Sequence, residues 1–198
     1  MATHDNTPNK LVRLAGVSLA PLRMPTKEER EASAATMGTT YMEHPPSLVE
    51  GEWLYLCGWK ASNNQEWLKK NNVGFMVNAT NKDQEFDGEY LQVKVLDTAN
   101  QNFRIHFNTV FEFLERGRDA WEKDGIRTVV HCWAGISRSA SLVIAYKMRK
   151  HALSQTDASL EVRSLHKCAC PNLDFVGQLY YYQMDGKDDP RNWTFVER

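Results

Sequence analysis

The chain has 198 residues, enough for one domain of ordinary size with an added arm. Its apolar content of 42%, with six Trp and eight Phe, supplies a sizeable core. The formal net charge of -1 argues against nucleic acid or an anionic membrane as the main partner, because both favour a strongly basic surface.

At the N-terminus, Met1-Ala2-Thr3-His4-Asp5 has no apolar secretory core, and Ala2 stands where myristoylation needs glycine. No apolar run is long enough to span a bilayer. A cytoplasmic or nuclear location is the expectation, with no membrane partner. Residues 1–48 carry five of the seven prolines and no clear period, so they read as a weakly ordered arm. Within the arm, Lys10-Leu11-Val12-Arg13-Leu14 loosely resembles a basic-apolar kinase-docking peptide, a pattern that arises often by chance.

The compact domain is expected over 49–184, followed by a tail over 185–198. Trp53-Leu54-Tyr55-Leu56 reads as a strand, and Asn64 to Lys70 as a short helix ended by Asn71-Asn72. Phe75-Met76-Val77 is a buried strand running into Asn78. Leu91, Val93 and Val95 alternate with polar residues, which predicts a half-buried strand. Phe107, Val110, Phe111, Leu114 and Trp121 fall at helical spacing before a stop at Gly125. Thr128-Val129-Val130 predicts another strand, and Ser139 to Met148 a mostly buried helix. Ser154 followed by Asp157 reads as an N-cap for a helix through Ala158, Val162 and Leu165. Pro171-Asn172 opens a last helix through Phe175, Leu179 and Tyr182. Strands alternating with helices predict an α/β domain with a central sheet.

The chemistry concentrates in His131-Cys132-Trp133-Ala134-Gly135-Ile136-Ser137-Arg138-Ser139. A strand that ends in a tight loop and feeds a helix N-terminus turns backbone N–H groups onto an anion and adds the positive end of the helix dipole. Cys132 at its base is the candidate nucleophile. A free thiol titrates at about 8.5, and this environment favours the thiolate. Arg138 suits bidentate recognition of phosphoryl oxygens. Gly135 lets the loop close, and Ser139 can donate to the sulfur. Trp133, Ala134, Ile136 and Ser137 complete the phosphate-binding loop. His131 adjoins Cys132 but points to the opposite face of its strand, which disfavours a His–Cys dyad and favours a buried supporting role.

A leaving oxygen needs a proton. Asp97, just past the strand ending at Val95, is the best candidate acid, since active sites of open α/β sheets gather at the carboxyl edge. Its alternative role is a helix N-cap. Asp83 and Asp87 sit in a charged stretch that reads as a solvated loop, and Asp124 precedes its strand, but all three flank strands and stay open as candidates. Asn78 ends a strand on the same edge, either bracing the loop or serving as a turn residue. Among the other cysteines, Cys168-Ala169-Cys170 is a lone C-x-C without a second pair at zinc spacing, so no metal or other cofactor is expected. Cys57 is a candidate redox partner for Cys132 if it lies behind the loop.

The run from His131 to Ser139 resembles the H-C-x-x-G-x-x-R-[ST] loop of the dual-specificity phosphatases, in the cysteine-dependent protein tyrosine phosphatase superfamily, at every fixed position. Leu142-Val143-Ile144-Ala145-Tyr146 looks like the family's following helix, and Pro171-Asn172 with Phe175 and Gln178-Leu179 like its P-N-x-x-F-x-x-Q-L ending. The resemblance covers about residues 52 to 184. It implies a mixed, mostly parallel sheet of about five strands flanked by helices. It also implies catalysis by Cys132, Arg138 and Asp97 on a phosphorylated protein, through a cysteinyl-phosphate. The Trp-Pro-Asp and Lys-Asn-Arg-Tyr segments of the tyrosine-only enzymes are missing, which implies a shallow pocket open to phosphoserine and phosphothreonine as well. Two alternatives stand beside this: a phosphatase of a lipid, glucan or RNA 5′-phosphate, and a pseudo-phosphatase that binds phosphoproteins without turnover. The oligomeric state is not legible.

Overall fold

The computed structural model describes residues 45–185. The arm assigned to 1–48, with its docking-like peptide, falls outside the described residues up to residue 44, and so does the tail from residue 186. Ser47–Glu50 forms β1, so the first strand begins two residues inside the segment assigned to the arm. Leu54–Gly58 forms β2, Val73–Asn78 β3, Glu89–Gln92 β4 and Arg127–Cys132 β5. The sheet order is β1-β2-β5-β3-β4, with β1 antiparallel to β2 and all other pairings parallel. This is the five-stranded, mostly parallel mixed sheet that the resemblance implies. β5 lies at its centre, so the candidate nucleophile stands at the end of the best-supported strand.

Among the described residues, six α-helices accompany the sheet: α1 Trp59–Ser62, α2 Gln65–Lys70, α3 Phe107–Asp124, α4 Arg138–His151, α5 Gln155–Leu165 and α6 Leu173–Asp185. The Asn64 side chain accepts from Trp67 N–H and starts α2, and Ser154 caps α5 through Asp157 N–H. Gly125 ends α3 with φ +67°. Alternation along the strands splits the core. Leu54, Leu56, Val77, Val130 and Cys132 join the larger cluster with α3, α4, α5 and α6. Tyr55, Cys57, Met76 and Val129 join a smaller one under Leu68 of α2.

Helix α4 is buried over most of its length, including Lys147. That cation is neutralised by Glu50 of β1 and Glu161 of α5, which fastens the edge strand to two helices. A buried ammonium without such partners would carry a penalty of several kcal/mol, on the order of 3–5 when one partner is removed.

One strand differs from expectation. The alternation through Val95 predicts a strand ending there, but β4 stops at Gln92. Val93 still donates its N–H to the Asn78 carbonyl (2.8 Å), and Val93 and Val95 remain buried. Burial of every second side chain therefore outlasts the ladder. Asp97 sits on a loop beyond the sheet instead of at a strand end.

Candidate active site

From Cys132 the chain turns through residues 133–137 before α4 begins at Arg138. Gly135 takes φ +76°, a conformation that side chains resist. A Cβ there would lie 2.7 Å from the Cys57 carbonyl carbon and 2.9 Å from the Gly58 nitrogen. The loop thus rests directly on the backbone at the end of β2. Trp59 N–H donates to the Trp133 carbonyl (2.9 Å), and Cys170 N–H to the Ile136 carbonyl (2.8 Å). His166 Nε2 donates to the Gly135 carbonyl (3.0 Å) while its Nδ1 meets Ser47 Oγ (2.9 Å). In a trans peptide the N–H opposes the carbonyl. Anchoring these three carbonyls on the outside therefore turns the N–H groups of Ala134, Ile136 and Ser137 to the concave side, as an anion nest.

Cys132 is almost fully buried, and Ser139 Oγ donates to its sulfur at 3.1 Å. Arg138 is largely buried; its Nη1 donates to the Val95 carbonyl at 3.3 Å, and its Nε lies 3.5 Å from Asp97 Oδ2. Asp97 therefore meets the loop in space. Its Oδ1 accepts from Ser137 Oγ (2.7 Å) and from Asn172 Nδ2 (2.8 Å). Asn172 N–H donates to Ser137 Oγ at 3.1 Å, closing a small ring of hydrogen bonds around the carboxylate. Both donors engage Oδ1, while Oδ2 faces Arg138 Nε.

The loop that carries Asp97 is fixed at its far end. Gln178 Oε1 accepts from the N–H groups of Phe103 (2.8 Å) and Arg104 (2.9 Å), and its Nε2 donates to the Gln101 carbonyl (2.6 Å). Of the competing acids, Asp83 pairs with Lys94 at 3.5 Å on an exposed loop, and Asp124 lies beside Lys123 at the far end of α3. Neither has a contact with the loop.

His131 is fully buried. Burial pushes its pKa down to about 4 and the Arg138 charge acts in the same direction, outweighing the hydrogen bond to the Cys132 carbonyl (3.4 Å). It is a neutral imidazole on the face opposite the thiol. Asn78 braces the neighbouring turn: Nδ2 donates to the Lys82 carbonyl (2.9 Å) and to Tyr90 Oη (2.7 Å), and Oδ1 accepts from Thr80 N–H (2.9 Å). Cys57 supports the loop with its backbone only. Its side chain packs in the smaller cluster, opposite Cys132, and burial with the added charge of Cys132 pushes its thiol strongly up. Cys168 lies 3.0 Å from His166, with its thiol also raised by burial. Among the described residues, no group of His, Cys, Asp and Glu is arranged to hold a metal.

Sequence reasoning missed Asn172 and His166 as parts of the site. The Asn172 signal was hidden because its position before α6 already explains it: Oδ1 accepts from Phe175 N–H (2.9 Å).

A family model described as the dual specificity phosphatase catalytic domain matches residues 54–185. The dual specificity protein phosphatase Mpk3 of Drosophila melanogaster is 35% identical over 148 residues, covering 72% of this chain and 35% of that protein. The dual specificity protein phosphatase 22 of Mus musculus is 34% identical over 146 residues, covering 73% of this chain and 77% of that protein. The crystal structure of human DUSP28 matches with a TM-score of 0.65 at 28% identity, over 71% of this chain and 94% of that one. Several relatives are much longer: the chain covers 35% of Mpk3, and 20% and 13% of Slingshot phosphatases from Xenopus laevis and Drosophila melanogaster.

Proposed function

The chain belongs to the dual specificity phosphatase family, and on that footing we propose that it hydrolyses phosphotyrosine and phosphoserine or phosphothreonine in proteins through a cysteinyl-phosphate. The observation that carries the reading is the attachment of Asp97 to the loop of Cys132 through Ser137 and Asn172. It brings a carboxyl group, a thiol and a guanidinium together, and this supports the reading.

The phosphoryl dianion enters the nest of N–H groups, and Arg138 leaves the Val95 carbonyl and Asp97 to take two of its oxygens. The Cys132 thiolate attacks phosphorus in line. The S–P bond forms as the P–O bond to the substrate breaks, and Asp97 Oδ2 gives its proton to the departing oxygen. Water then attacks the cysteinyl-phosphate, Asp97 takes its proton, and the S–P bond breaks to release phosphate. Ser139 donates to the sulfur and stabilises the thiolate as it leaves. Arg138 and the loop donors bind the equatorial oxygens more strongly as their charge changes in the transition state.

The test is hydrolysis of an aryl phosphate and of matched phosphopeptides in EDTA. Cys132→Ser is expected to abolish turnover. Asp97→Asn is expected to cost about 10²–10⁴ in kcat with phosphopeptides, the range for a general acid, and much less with an aryl leaving group that departs unprotonated. Equal losses across leaving groups would move the acid elsewhere, and turnover by Cys132→Ser would remove the nucleophile.

A further inference from the structure

The Trp133 side chain has no part in the chemistry above, yet the residue adjoins the nucleophile and is 38% exposed. Two partners hold it. The Trp59 ring stacks on it, with centroids 5.9 Å apart at 23°. The ammonium of Lys82 lies over its ring, 4.7 Å from the centroid. The rings are tied through the backbone as well, by the Trp59 N–H bond to the Trp133 carbonyl.

The backbone of Lys82 is also held tightly. Its carbonyl accepts from Asn78 Nδ2 (2.9 Å), Gln92 Nε2 (3.0 Å) and Thr80 Oγ1 (3.3 Å), and its N–H donates to Thr80 Oγ1 (3.1 Å). These bonds also satisfy the buried side chains of Asn78 and Thr80, so the position of the turn is fixed from the interior. Among the described residues, no carboxylate pairs with Lys82. Its sequence neighbour Asp83 turns to Lys94 instead. The result is a cation on a fixed backbone, seated on an aromatic platform that includes Trp133 of the phosphate loop. An aromatic face holds an ammonium without neutralising it, so the charge stays available to a ligand.

We propose that Lys82, carried on Trp133 and Trp59, is a specificity-determining residue that reads an anionic side chain one or two positions from the phosphoresidue of a protein substrate. The proposal rests on the phosphatase reading above. Successive Cα atoms in a peptide are about 3.8 Å apart, so a residue one or two positions away lies within about 8 Å of the phosphoresidue, and Trp133 adjoins the nucleophile in sequence. The anion is a carboxylate or a second phosphate. Both meet an ammonium as a point charge, so Lys82 takes either.

The experiment uses fluorescein-labelled phosphotyrosine peptides of one sequence, flanked by Gln, by Glu or by phosphoserine. Their affinities for the Cys132→Ser protein are measured by fluorescence anisotropy, and their turnover is measured with the unsubstituted protein. Tighter binding of the Glu and phosphoserine peptides than of the Gln peptide is expected, by up to about fivefold for a single exposed ion pair. The preference should shrink at 0.5 M salt, because the pair is screened. Adding Lys82→Gln should bring the ratios to one, and Lys82→Arg should keep them. The Gln peptide reports any general loss of folding in each variant. A gain with phosphoserine alone supports the proposal with a second phosphate as the anion; a gain with both supports the wider anion. Equal binding of all three peptides, or a preference that survives Lys82→Gln, overturns it. The two readings fail separately: absence of turnover on every peptide overturns the phosphatase reading, while the binding ratios still decide the role of Lys82.

Discussion

Three glycines separate backbone strain from steric fit and so test the account of the loop. Gly135→Ala combines both penalties. A left-handed φ costs an alanine about 1–2 kcal/mol. The new Cβ would also press on Cys57 and Gly58 backbone atoms at 2.7–2.9 Å, none of which is the flexible end of a side chain. Overpacking of that kind costs about 1–3 kcal/mol, for a sum of about 2–5 kcal/mol. For a chain of this size that lowers the melting temperature by roughly 5–15 °C. Gly125→Ala carries the strain alone, since φ is +67° and nothing lies within 4 Å, and should cost about 1–2 kcal/mol. Gly177→Ala in α6 carries neither and should stabilise by about 0.5–1 kcal/mol through helix propensity. Calorimetric melts of the three proteins give the order, and the rate on an aryl phosphate gives the second readout. Only Gly135→Ala should lose activity, by about 10²-fold or more, because displacement of the loop by about 1 Å misplaces its donors. A Gly135→Ala protein that melts no lower than Gly125→Ala, with its activity intact, would refute the claim that the loop rests on the end of β2.

Ser139→Ala removes the donor to the Cys132 sulfur, so the second step should slow by about tenfold or more and rapid quench should show a burst of bound phosphate; a linear time course would deny Ser139 that role. Asn172→Ser keeps a cap for α6 but cannot reach Asp97, so kcat on phosphopeptides should fall more than kcat on an aryl phosphate, with the fold intact by circular dichroism. His131 titrates lower in the folded protein, about 4, than the ordinary 6.5. The unfolded chain therefore binds the extra proton between those values, and stability should fall as pH drops from 6.5 to 4, by about 3 kcal/mol at the limit, then level off. Urea melts of a His131→Gln protein should show a shallower fall over that window; an unaltered slope would assign the acid sensitivity to other groups.

The loop was the most legible part of the molecule, because its spacing alone demands a strand, a turn and a helix start. The helices were nearly as clear, since α3 and α5 announce themselves by periodicity and by caps at Gly125 and Ser154. β1 was hidden because four residues after a Pro pair carry too little pattern, and its pairing with β2 is not a local property. α1 was hidden for a similar reason, a single turn after Gly58. β4 misled because Val93 and Val95 are buried by neighbouring elements after their ladder has ended. In the site, Asp97 was legible from its place beyond a predicted strand, but its fastening was not. Ser137 and Asn172 are distant in sequence from Asp97, and hydrogen bonds between elements leave no spacing to read. Trp133 was legible only as a member of the loop; its contacts with Trp59 and Lys82 join segments far apart in sequence.

The clasp on the acid loop has a consequence for synthesis. Asn172 and Gln178, which position Asp97 and anchor Gln101 to Arg104, leave the ribosome some forty residues after Cys132, at roughly 5–20 residues per second. A nascent chain that has emerged only through α5 holds the strand, the thiol and Ser137, but neither Asn172 nor Gln178. Such a chain also lacks His166 and Cys170, which anchor the Gly135 and Ile136 carbonyls, so its phosphate loop is as incomplete as its acid loop. The segment from His166 to Gln178 therefore completes the anchoring of both loops together, late in synthesis.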